Sequence, residues 1–368
     1  MFFGRIELRV HASSTSTAVL AQIADFGFDS ARCCCRRSDG RTTVYDVFNA
    51  GYLQEKFDSQ GRLICAPSGI WRPQFSEALR SGRYFGLELT TANGFHAVDL
   101  SFVEPWPICR LYLGLVTEVD LRPVSRLGQS LEELMVVMPG SGEITLEDLP
   151  QLRKLFASYR RVRRSLPSAA GLAHLSIERF TDESLQPLLQ NTRLKSLRLN
   201  GARSLRDVDG LGVWEALAAL DIQDAPQMRL GQALPQLGPS LRCLHLQRVA
   251  DEGFDFVEGG LTSLAELSLT PVSHVVPSIR PLASLSQLRG FGLGAKVLDR
   301  DLAPHLALPR LHRLRMADDP SYVPSVAAIQ DLTRFRAQRL TERQKLLLYT
   351  QIYNDDDVTW LDSLEGES

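Results

Sequence analysis

Apolar residues recur along the chain in the order L-x-x-L-x-L, where x is mostly polar. Successive copies begin 20 to 24 residues apart through the middle of the chain. They open at Ile108, Leu131, Leu152, Leu172, Leu194, Leu217, Leu241, Leu264, Leu288 and Leu311. A period of this length predicts stacked structural repeats, because each repeat would bury its apolar face only against its neighbours.

The hexads resemble those of the leucine-rich repeat family, and the resemblance covers residues 108–319. In that family each hexad is a short parallel strand whose first, fourth and sixth side chains enter the core. The resemblance implies an α/β fold, a leucine-rich repeat solenoid with a curved parallel β-sheet and a helical, 3-10 or irregular convex side. The inward residues of one copy would be Leu194, Leu197 and Leu199, whereas the weaker copy at Leu152 has Ala157 in the sixth place.

One departure from the family concerns the turn after each strand. The family commonly has Asn or Cys at the ninth position of the repeat, where the side chain satisfies backbone groups of the turn. This chain has neither residue there; Ala202 and Ala225 are two examples. Buried backbone N–H and C=O groups rarely stay unpaired, so the turns are expected to satisfy them in another way.

Residues 1–84 show none of the repeat period and predict a small, mixed, β-rich N-terminal domain. A helix is expected over residues 14–28, where apolar residues follow Ser and Thr capping residues. A hairpin is expected through Ser38–Gly40, because Asp-Gly favours tight hairpin turns. A second hairpin is expected from Tyr52 to Cys65.

The solenoid needs caps at both ends, because an uncovered terminal repeat would expose apolar surface. Residues 85–107 are expected to form the junction and N-terminal cap, with a further strand at residues 95–103. Residues 320–368 are expected to form a helical C-terminal cap that ends in an acidic tail. The apolar residues from Pro324 to Tyr353 have mostly helical spacing, which supports this interpretation.

The composition is that of an ordinary soluble protein, with 44% hydrophobic residues and a formal net charge of −2. This charge does not favour nucleic-acid binding. The chain lacks a run of about 18 uncharged apolar residues, so no membrane span is expected. Charges near the N-terminus make a poor secretory signal. The six cysteines do not form a disulfide framework, which favours a cytoplasmic location.

Cys33, Cys34 and Cys35 lie between arginines, and cationic neighbours increase the reactivity of a thiol. Adjacent residues on a strand point to opposite faces, however, whereas a tetrahedral metal site needs spaced cysteine pairs. We interpret the three cysteines as part of a strand. The basic run Arg160–Arg164 is interpreted as a solvated face or a set of rim salt bridges. No catalytic residue, cofactor site or metal site is therefore predicted.

Side chains at the third, fifth and seventh positions of each hexad are expected to line the concave face of the sheet. Exposed apolar groups beside Tyr and Arg are typical of protein interfaces. The candidate partner-binding residues are Tyr112, Met135, Phe156, Glu178, Arg198, Asn200, Asp221, Gln223, His245, Gln247, Arg313 and Arg315. In the alternative interpretation, the N-terminal domain folds over Tyr112, Met135 and Phe156 and covers them.

The sequence thus favours a non-enzymatic scaffold for protein–protein interaction, which binds a protein partner on its concave face and is itself monomeric. Within that class, an inhibitor or immunity protein, or an adaptor, fits the chain. The alternative is an effector or enzyme whose activity resides in the N-terminal domain, with the repeats as a targeting module. A C-terminal catalytic domain like that of leucine-rich repeat ubiquitin ligases is not expected, because no cysteine follows Met316.

Overall fold

The computed structural model describes residues 32–36, 42–46 and 52–338, apart from positions 59, 98, 140, 141, 231, 232, 251, 252, 255, 258 and 259. The helix predicted over residues 14–28 and the predicted acidic tail lie outside these ranges. The chain divides into two compact units. Unit 1 is Met1–Ser130 with Val137–Gly140, and unit 2 is Leu131–Val136 with Ser141–Ser368.

Unit 1 contains two β-hairpins. Their strands are, in chain order, β1 (Arg32–Arg36), β2 (Thr42–Asp46), β3 (Leu53–Phe57) and β4 (Leu63–Pro67). Strand β1 pairs antiparallel with β2, and β3 pairs antiparallel with β4. The second turn is closed by Asp58, whose carboxylate accepts hydrogen bonds from the backbone N–H groups of Gln60 and Arg62 at 3.0 and 2.8 Å. Both hairpins predicted from the sequence are confirmed.

Two parallel strands follow in unit 1, β5 (Gly86–Thr90) and β6 (Arg110–Gly114). Strand β4 pairs with β5, and β5 pairs with β6, in the parallel sense. Helix α1 (Pro73–Arg80) connects β4 to β5 and has a proline in its first turn, where the missing N–H costs no hydrogen bond. Its residues Phe75 and Leu79 are buried.

The repeat pattern begins one copy earlier than the hexad at Ile108. Tyr84, Leu87 and Leu89 occupy the first, fourth and sixth positions of an earlier hexad, and they are 2%, 1% and 0% exposed. Leu87 lies opposite Leu111 in the ladder of β5 and β6. This hexad therefore stacks as a repeat, although its first residue is aromatic.

The strand predicted at residues 95–103 is wrong. The described residues of this stretch contain no strand, and Phe95 forms only an isolated bridge with Gly69. Phe95, Leu100 and Val103 are fully buried instead. They belong to the irregular segment that connects one repeat strand to the next. Short apolar runs of this kind do not distinguish a strand from other buried segments.

Unit 2 is built on parallel strands. In chain order they are β7 (Glu133–Val136), β8 (Lys154–Ser158), β9 (His174–Glu178), β10 (Ser196–Asn200), β11 (Ala219–Gln223), β12 (Cys243–Val249), β13 (Glu266–Pro271), β14 (Val275–Val276), β15 (Gly290–Leu293), β16 (Lys296–Val297) and β17 (Arg313–Met316). The short strands β14 and β16 pair with each other. The other nine lie in one parallel sheet, in sequence order.

The core of unit 2 is the column of hexad positions one, four and six. Leu194, Leu197 and Leu199 are 0%, 1% and 0% exposed. Ala157, the small residue of the weaker copy, is also fully buried. Met316 on the last strand is the exception and is partly exposed. The predicted α/β repeat solenoid is therefore confirmed.

Backbone atoms close the turns of the central repeats. Arg179 and Asp224, each the eighth residue of its repeat, have positive φ angles of 57° and 56°, and Gly201 has a φ of 68° at the same position. The N–H groups of Arg179 and Asp224 donate to the C=O groups of Asn200 and Gln247 in the following repeats, at 2.6 and 2.9 Å. Main-chain pairing between repeats thus takes the place of an asparagine ladder.

The convex side carries short 3-10 helices, as the sequence predicts. In unit 2 they include Leu146–Asp148, Leu166–Ser168, Gln186–Leu188, Leu211–Val213, Leu234–Ser240, Arg280–Ser284 and Ala303–Ala307, and a short helix α2 spans Tyr159–Val162. Several begin with a proline in the first two positions, such as Pro187, Pro281 and Pro304. Proline fixes φ and lacks an N–H, so it suits the first turn of such a helix.

Helix α3 (Val326–Ala337) follows the last strand and packs against β17. The Ser325 hydroxyl caps its N-terminus by accepting a hydrogen bond from the Ala328 N–H at 3.2 Å. Val326 and Ile329 are buried. The predicted C-terminal helix is present here, and the rest of the predicted helical stretch lies outside the described residues. Within the described part of the chain, no helix is both long and apolar enough to span a bilayer.

The buried leucine column should govern the stability of unit 2. Because Leu197 is 1% exposed, Leu197→Ala should lower the free energy of unfolding by about 2–5 kcal/mol, from lost transfer energy and the cavity that remains. Urea unfolding followed by circular dichroism measures this loss. The neighbouring exposed residue provides the control: Lys195→Ala should change stability by less than about 0.5 kcal/mol. Equal effects of the two substitutions would contradict the assignment.

His305 is a histidine within the apolar core. It is fully buried, and its ring centroid lies 5.1 Å from that of Phe291. Neither ring nitrogen has a hydrogen-bond partner among the residues that the structure describes. Burial lowers the pKa of His305 from 6.5 to about 4. The imidazole is therefore neutral in the folded protein at neutral pH.

This histidine should make unit 2 sensitive to acid. The unfolded chain takes up the His305 proton near its pKa of 6.5, whereas the folded protein takes it up only near about 4. Stability is therefore retained above pH 6.5 and lost as the pH falls towards 4. His305→Leu should reduce the loss between about pH 7 and about pH 4.5 by about 2–3 kcal/mol in urea unfolding. His274→Asn, at an exposed histidine, is the control, and an identical pH slope in both variants would refute the prediction.

Candidate functional site

The fifth-position residues form one row across unit 2. Strand pairing places Met135 opposite Phe156 and Arg198 opposite Asp221. The whole row is Met135, Phe156, Ser176, Arg198, Asp221, His245, Ser268, Gly292 and Arg315. Residues on either side of each row member are buried in the core, except Met316 beside Arg315, so the row faces away from the core. We call this surface, together with the third and seventh positions, the concave face.

The apolar end of the predicted site is partly accessible. Met135 and Phe156 are intermediate in exposure on β7 and β8. Tyr112 belongs to unit 1, where it lies on β6 opposite Glu88 and is also intermediate in exposure. All three side chains therefore keep surface that a partner protein could contact.

The seventh-position residues support the row. The Asn200 side-chain amide donates to both carboxylate oxygens of Glu178, at 3.1 and 3.0 Å. The Gln223 amide donates to both oxygens of Asp221, at 3.0 Å each. Gln247 is exposed. These bonds hold polar side chains of neighbouring strands in fixed positions on the concave face.

Arg198 and Asp221 form an ion pair at the centre of the row. The distance from Arg198 Nε to Asp221 Oδ2 is 2.9 Å, and Asp221 is only 9% exposed. A carboxylate at this depth is stable when charged and neutral donors satisfy both its oxygens. Arg198 and Gln223 supply those donors.

His245 lies opposite Asp221 in the ladder of β11 and β12. Burial lowers the pKa of His245, and Arg313 and Arg198 act in the same direction, whereas the Asp221 carboxylate opposes them. The imidazole is therefore neutral at physiological pH. In this form one ring nitrogen donates a hydrogen bond and the other accepts one.

A second ion pair reaches across an intervening strand. Arg313 on β17 places Nη2 2.6 Å from Oε2 of Glu266 on β13, and Gly290 of β15 lies between them. A Cβ atom at Gly290 would overlap the Glu266 carboxylate. Glu266 is 3% exposed; burial raises its pKa, and the Arg313 guanidinium opposes this shift. The bridge therefore depends on glycine at position 290.

A pocket of about 260 Å³ opens on this part of the concave face. Its lining includes Asp221, His245, Glu266, Ser268, Gly292, Arg313 and Arg315. Six of the predicted partner-binding residues, Gln223 and Gln247 among them, thus surround one cavity, whereas Tyr112, Met135, Phe156, Glu178, Arg198 and Asn200 are absent from its lining. The concave face has two distinct regions in unit 2, an apolar end and a polar pocket.

Glu266 and the glycines of β15 were not among the residues selected from the sequence. The sequence does carry a signal for them, because the hexad at Leu288 has glycine at the third, fifth and seventh positions: Gly290, Gly292 and Gly294. The effect of these glycines on the strands on both sides depends on how the repeats stack, which a single hexad does not reveal.

Nine parallel strands pair in register, and each places its fourth residue in a continuous buried column. The fold is a leucine-rich repeat solenoid. Its convex arms are 3-10 helices, and its concave face is the polar and apolar surface described above. The leucine-rich repeat fold predicted from the hexads is therefore confirmed.

No protein-family model and no curated protein sequence matches the chain. It is similar to the solved structure of an internalin, inlF, from Listeria monocytogenes, with 18% identity and a TM-score of 0.37 over 58% of this chain and 76% of that one. A leucine-rich repeat protein of Leptospira interrogans is 19% identical, with a TM-score of 0.48 over 67% of this chain and 63% of that one. Internalin C2 of Listeria monocytogenes is 20% identical, with a TM-score of 0.32 over 52% and 75%. No residue role follows from these likenesses.

The basic run on the solenoid is engaged in internal contacts. Arg161 is 1% exposed, and its guanidinium donates to a backbone carbonyl at 3.0 Å. Arg163 pairs with Asp182 at 2.8 Å, and Arg164 pairs with Glu143 at 3.0 Å. The interpretation as rim salt bridges fits Arg163 and Arg164, whereas Arg161 is a buried structural residue.

The glycine beneath the Arg313–Glu266 bridge should not tolerate a side chain. Gly290→Ala should lower the free energy of unfolding by about 1–3 kcal/mol, because the new methyl group displaces the buried Glu266 carboxylate from Arg313. Gly292→Ala is the matched control, since its Cβ would lie 3.1 Å from the Ser268 hydroxyl and meet little else. Urea unfolding of both variants tests the difference. Equal stability of the two variants would contradict the role of Gly290.

Proposed function

We propose that the chain is a non-enzymatic scaffold that binds a protein partner on the concave face of its leucine-rich repeats. The main support for this proposal is that hydrogen bonds and ion pairs hold charged and polar side chains of the concave face in position. The same face carries the partly accessible apolar residues Met135 and Phe156. Interfaces with this combination of apolar anchors, arginines and a polar surround are typical of protein recognition.

The size of the face supports a protein rather than a small molecule. Nine strands spaced about 4.8 Å apart extend about 38 Å, and the third to seventh positions extend about 14 Å along each strand. The flat area is about 500 Å², before side-chain relief is counted. A standard interface buries about 800 Å² on each partner. The concave face of unit 2 therefore accounts for most of one interface, and a rim would supply the rest.

Preorganisation favours specific binding. A side chain that is fixed before binding loses less conformational entropy when the complex forms. Arg198 is fixed by Asp221, and Asn200 is fixed by Glu178. Because both signs of charge are present, we propose a partner with a mixed polar surface and an apolar group at one end. Charge complementarity of this kind governs the choice of partner more than the affinity.

Within this class we propose an inhibitor or immunity role, or an adaptor role, for a monomeric chain. One continuous binding face favours the capture of one partner molecule by each chain. An inhibitor would abolish the activity of its purified partner at equimolar ratio, whereas an adaptor would leave that activity intact and retain a second protein. Sedimentation of the chain alone and of the complex would test the monomeric state.

Charge reversal at the centre of the row should abolish partner capture. Arg198→Glu with His245→Glu places two new carboxylates beside Asp221, so the partner's complementary charges would be repelled. Affinity capture from the native cell should recover a stoichiometric partner with the wild-type chain, and at least about tenfold less with the double variant. Circular dichroism should show that both chains are folded.

A matched double variant separates this effect from net charge. Arg193→Glu with His274→Asp changes the formal charge by the same amount at exposed positions outside the concave face. It should capture the partner as the wild type does. The proposal fails if the folded Arg198/His245 variant retains the partner, or if the control variant loses it equally.

A further inference from the structure

Strand β15 leaves a gap in the concave face. The repeat that contains β15 has Gly290, Gly292 and Gly294 at its third, fifth and seventh positions, the last directly after the strand, so no side chain of this repeat rises on this side. The strands on either side do carry side chains: Gly292 lies opposite Ser268 on β13 and opposite Arg315 on β17. The floor of the pocket is therefore bare backbone, with polar side chains at both edges.

The Glu266 carboxylate at one edge is incompletely satisfied. Its Oε2 atom accepts the hydrogen bond of Arg313 at 2.6 Å, whereas its Oε1 atom is buried and has no hydrogen-bond partner among the described residues. Glu266 is 3% exposed and lines the pocket. A buried oxygen without a partner lowers stability, and a ligand that hydrogen-bonds to it would restore the lost interaction.

Arg315 stands at the other edge. It is exposed, and its guanidinium forms no hydrogen bond or ion pair within the part of the chain that the structure describes. It lines the same pocket, and its charge acts on the Glu266 carboxylate. A guanidinium carries only donors, so this edge needs an acceptor from the ligand.

The charges around the pocket favour a neutral ligand group. A cation would meet the guanidiniums of Arg313 and Arg315, and an anion would meet the carboxylates of Asp221 and Glu266. Like charges brought together in a partly buried site cost binding energy. A carboxamide avoids both penalties, and it carries an N–H donor and a C=O acceptor on one planar group.

We propose that this pocket binds the carboxamide side chain of a Gln or Asn residue in the protein partner. The carboxamide N–H donates to Glu266 Oε1, and its C=O accepts from Arg315. This inference rests on the proposed function, since it assigns one specificity element of the partner.

The dimensions of the pocket agree with a single side chain. Its volume of about 260 Å³ is below the roughly 300–1,000 Å³ of pockets that enclose whole small-molecule ligands. A planar carboxamide would lie on the backbone of Gly292, which a Cβ atom would obstruct. The glycine therefore determines the depth of the pocket, and Glu266 and Arg315 determine its chemistry.

Blocked single amino acids test the pocket without the partner. The probes are N-acetyl-glutamine N′-methylamide and its glutamate, lysine and leucine analogues, whose blocking groups contain no primary amide. The full chain is labelled with 15N-glycine, and the Gly292 signal is identified by its loss in Gly292→Val. The glutamine derivative should shift this signal with a dissociation constant about tenfold below those of the other three probes.

Three variants complete the experiment. Gly292→Val, followed through the remaining glycine signals, and Arg315→Leu should each weaken the glutamine derivative by about tenfold. Arg315→Leu removes an exposed side chain, so it tests the site even if Gly292→Val does not fold. Ser176→Val, at the same hexad position on β9, is the matched control and should bind as the wild type does.

Three results would overturn the proposal: preferential binding of the glutamate or lysine derivative, no response to any derivative, or unchanged binding in Arg315→Leu. None of them depends on the partner. Loss of carboxamide binding would therefore leave the partner-capture result with the Arg198/His245 variant unaffected, and failure of partner capture would leave the probe result unaffected.

Discussion

The hydrogen-bonded register between parallel strands is the constraint on which the rest of unit 2 depends. Because adjacent strands pair residue for residue, the same hexad position recurs at each strand spacing of about 4.8 Å. This register puts Leu197 in line with Leu175 and Leu220 in the core. It also puts Arg198 in line with Asp221 on the opposite face. One geometric rule therefore determines both the buried column and the surface row.

The same register creates an electrostatic problem that the sequence solves in two ways. Charged side chains in one row lie close enough to attract or repel one another. Charges of opposite sign must therefore be neighbours, or a small residue must lie between them so that their side chains can meet. Arg198 and Asp221 show the first solution, on adjacent strands. Arg313 and Glu266 show the second, because Gly290 between them allows the guanidinium to reach across a strand. The charged residues of the concave face are therefore held by ion pairs between strands.

The sequence predicts the features that the repeat period determines. It does not predict features that depend on local backbone geometry or on contacts between strands that are not adjacent. The burial of Leu194 and the pairing of Arg198 with Asp221 follow from the repeat period and from the alternation of side chains between the two faces of a strand. The prediction of a strand at residues 95–103 was wrong, because apolar spacing alone does not distinguish a strand from a buried irregular segment. The Glu266–Arg313 bridge joins residues two strands apart and was beyond any rule based on adjacent copies.

The glycine-rich strand β15 also affects how the stack of repeats unfolds. A solenoid is stabilised by contacts between neighbouring repeats, so it separates first at its weakest junction. Each glycine in a strand costs about 0.5–1 kcal/mol of conformational entropy relative to alanine and adds no packing. Strand β15 contains two such positions, Gly290 and Gly292, and the Arg313–Glu266 bridge spans the same junction. We therefore expect this junction, where β15 contributes backbone and the Arg313–Glu266 bridge supplies the side-chain contact, to be the first to open when the array unfolds.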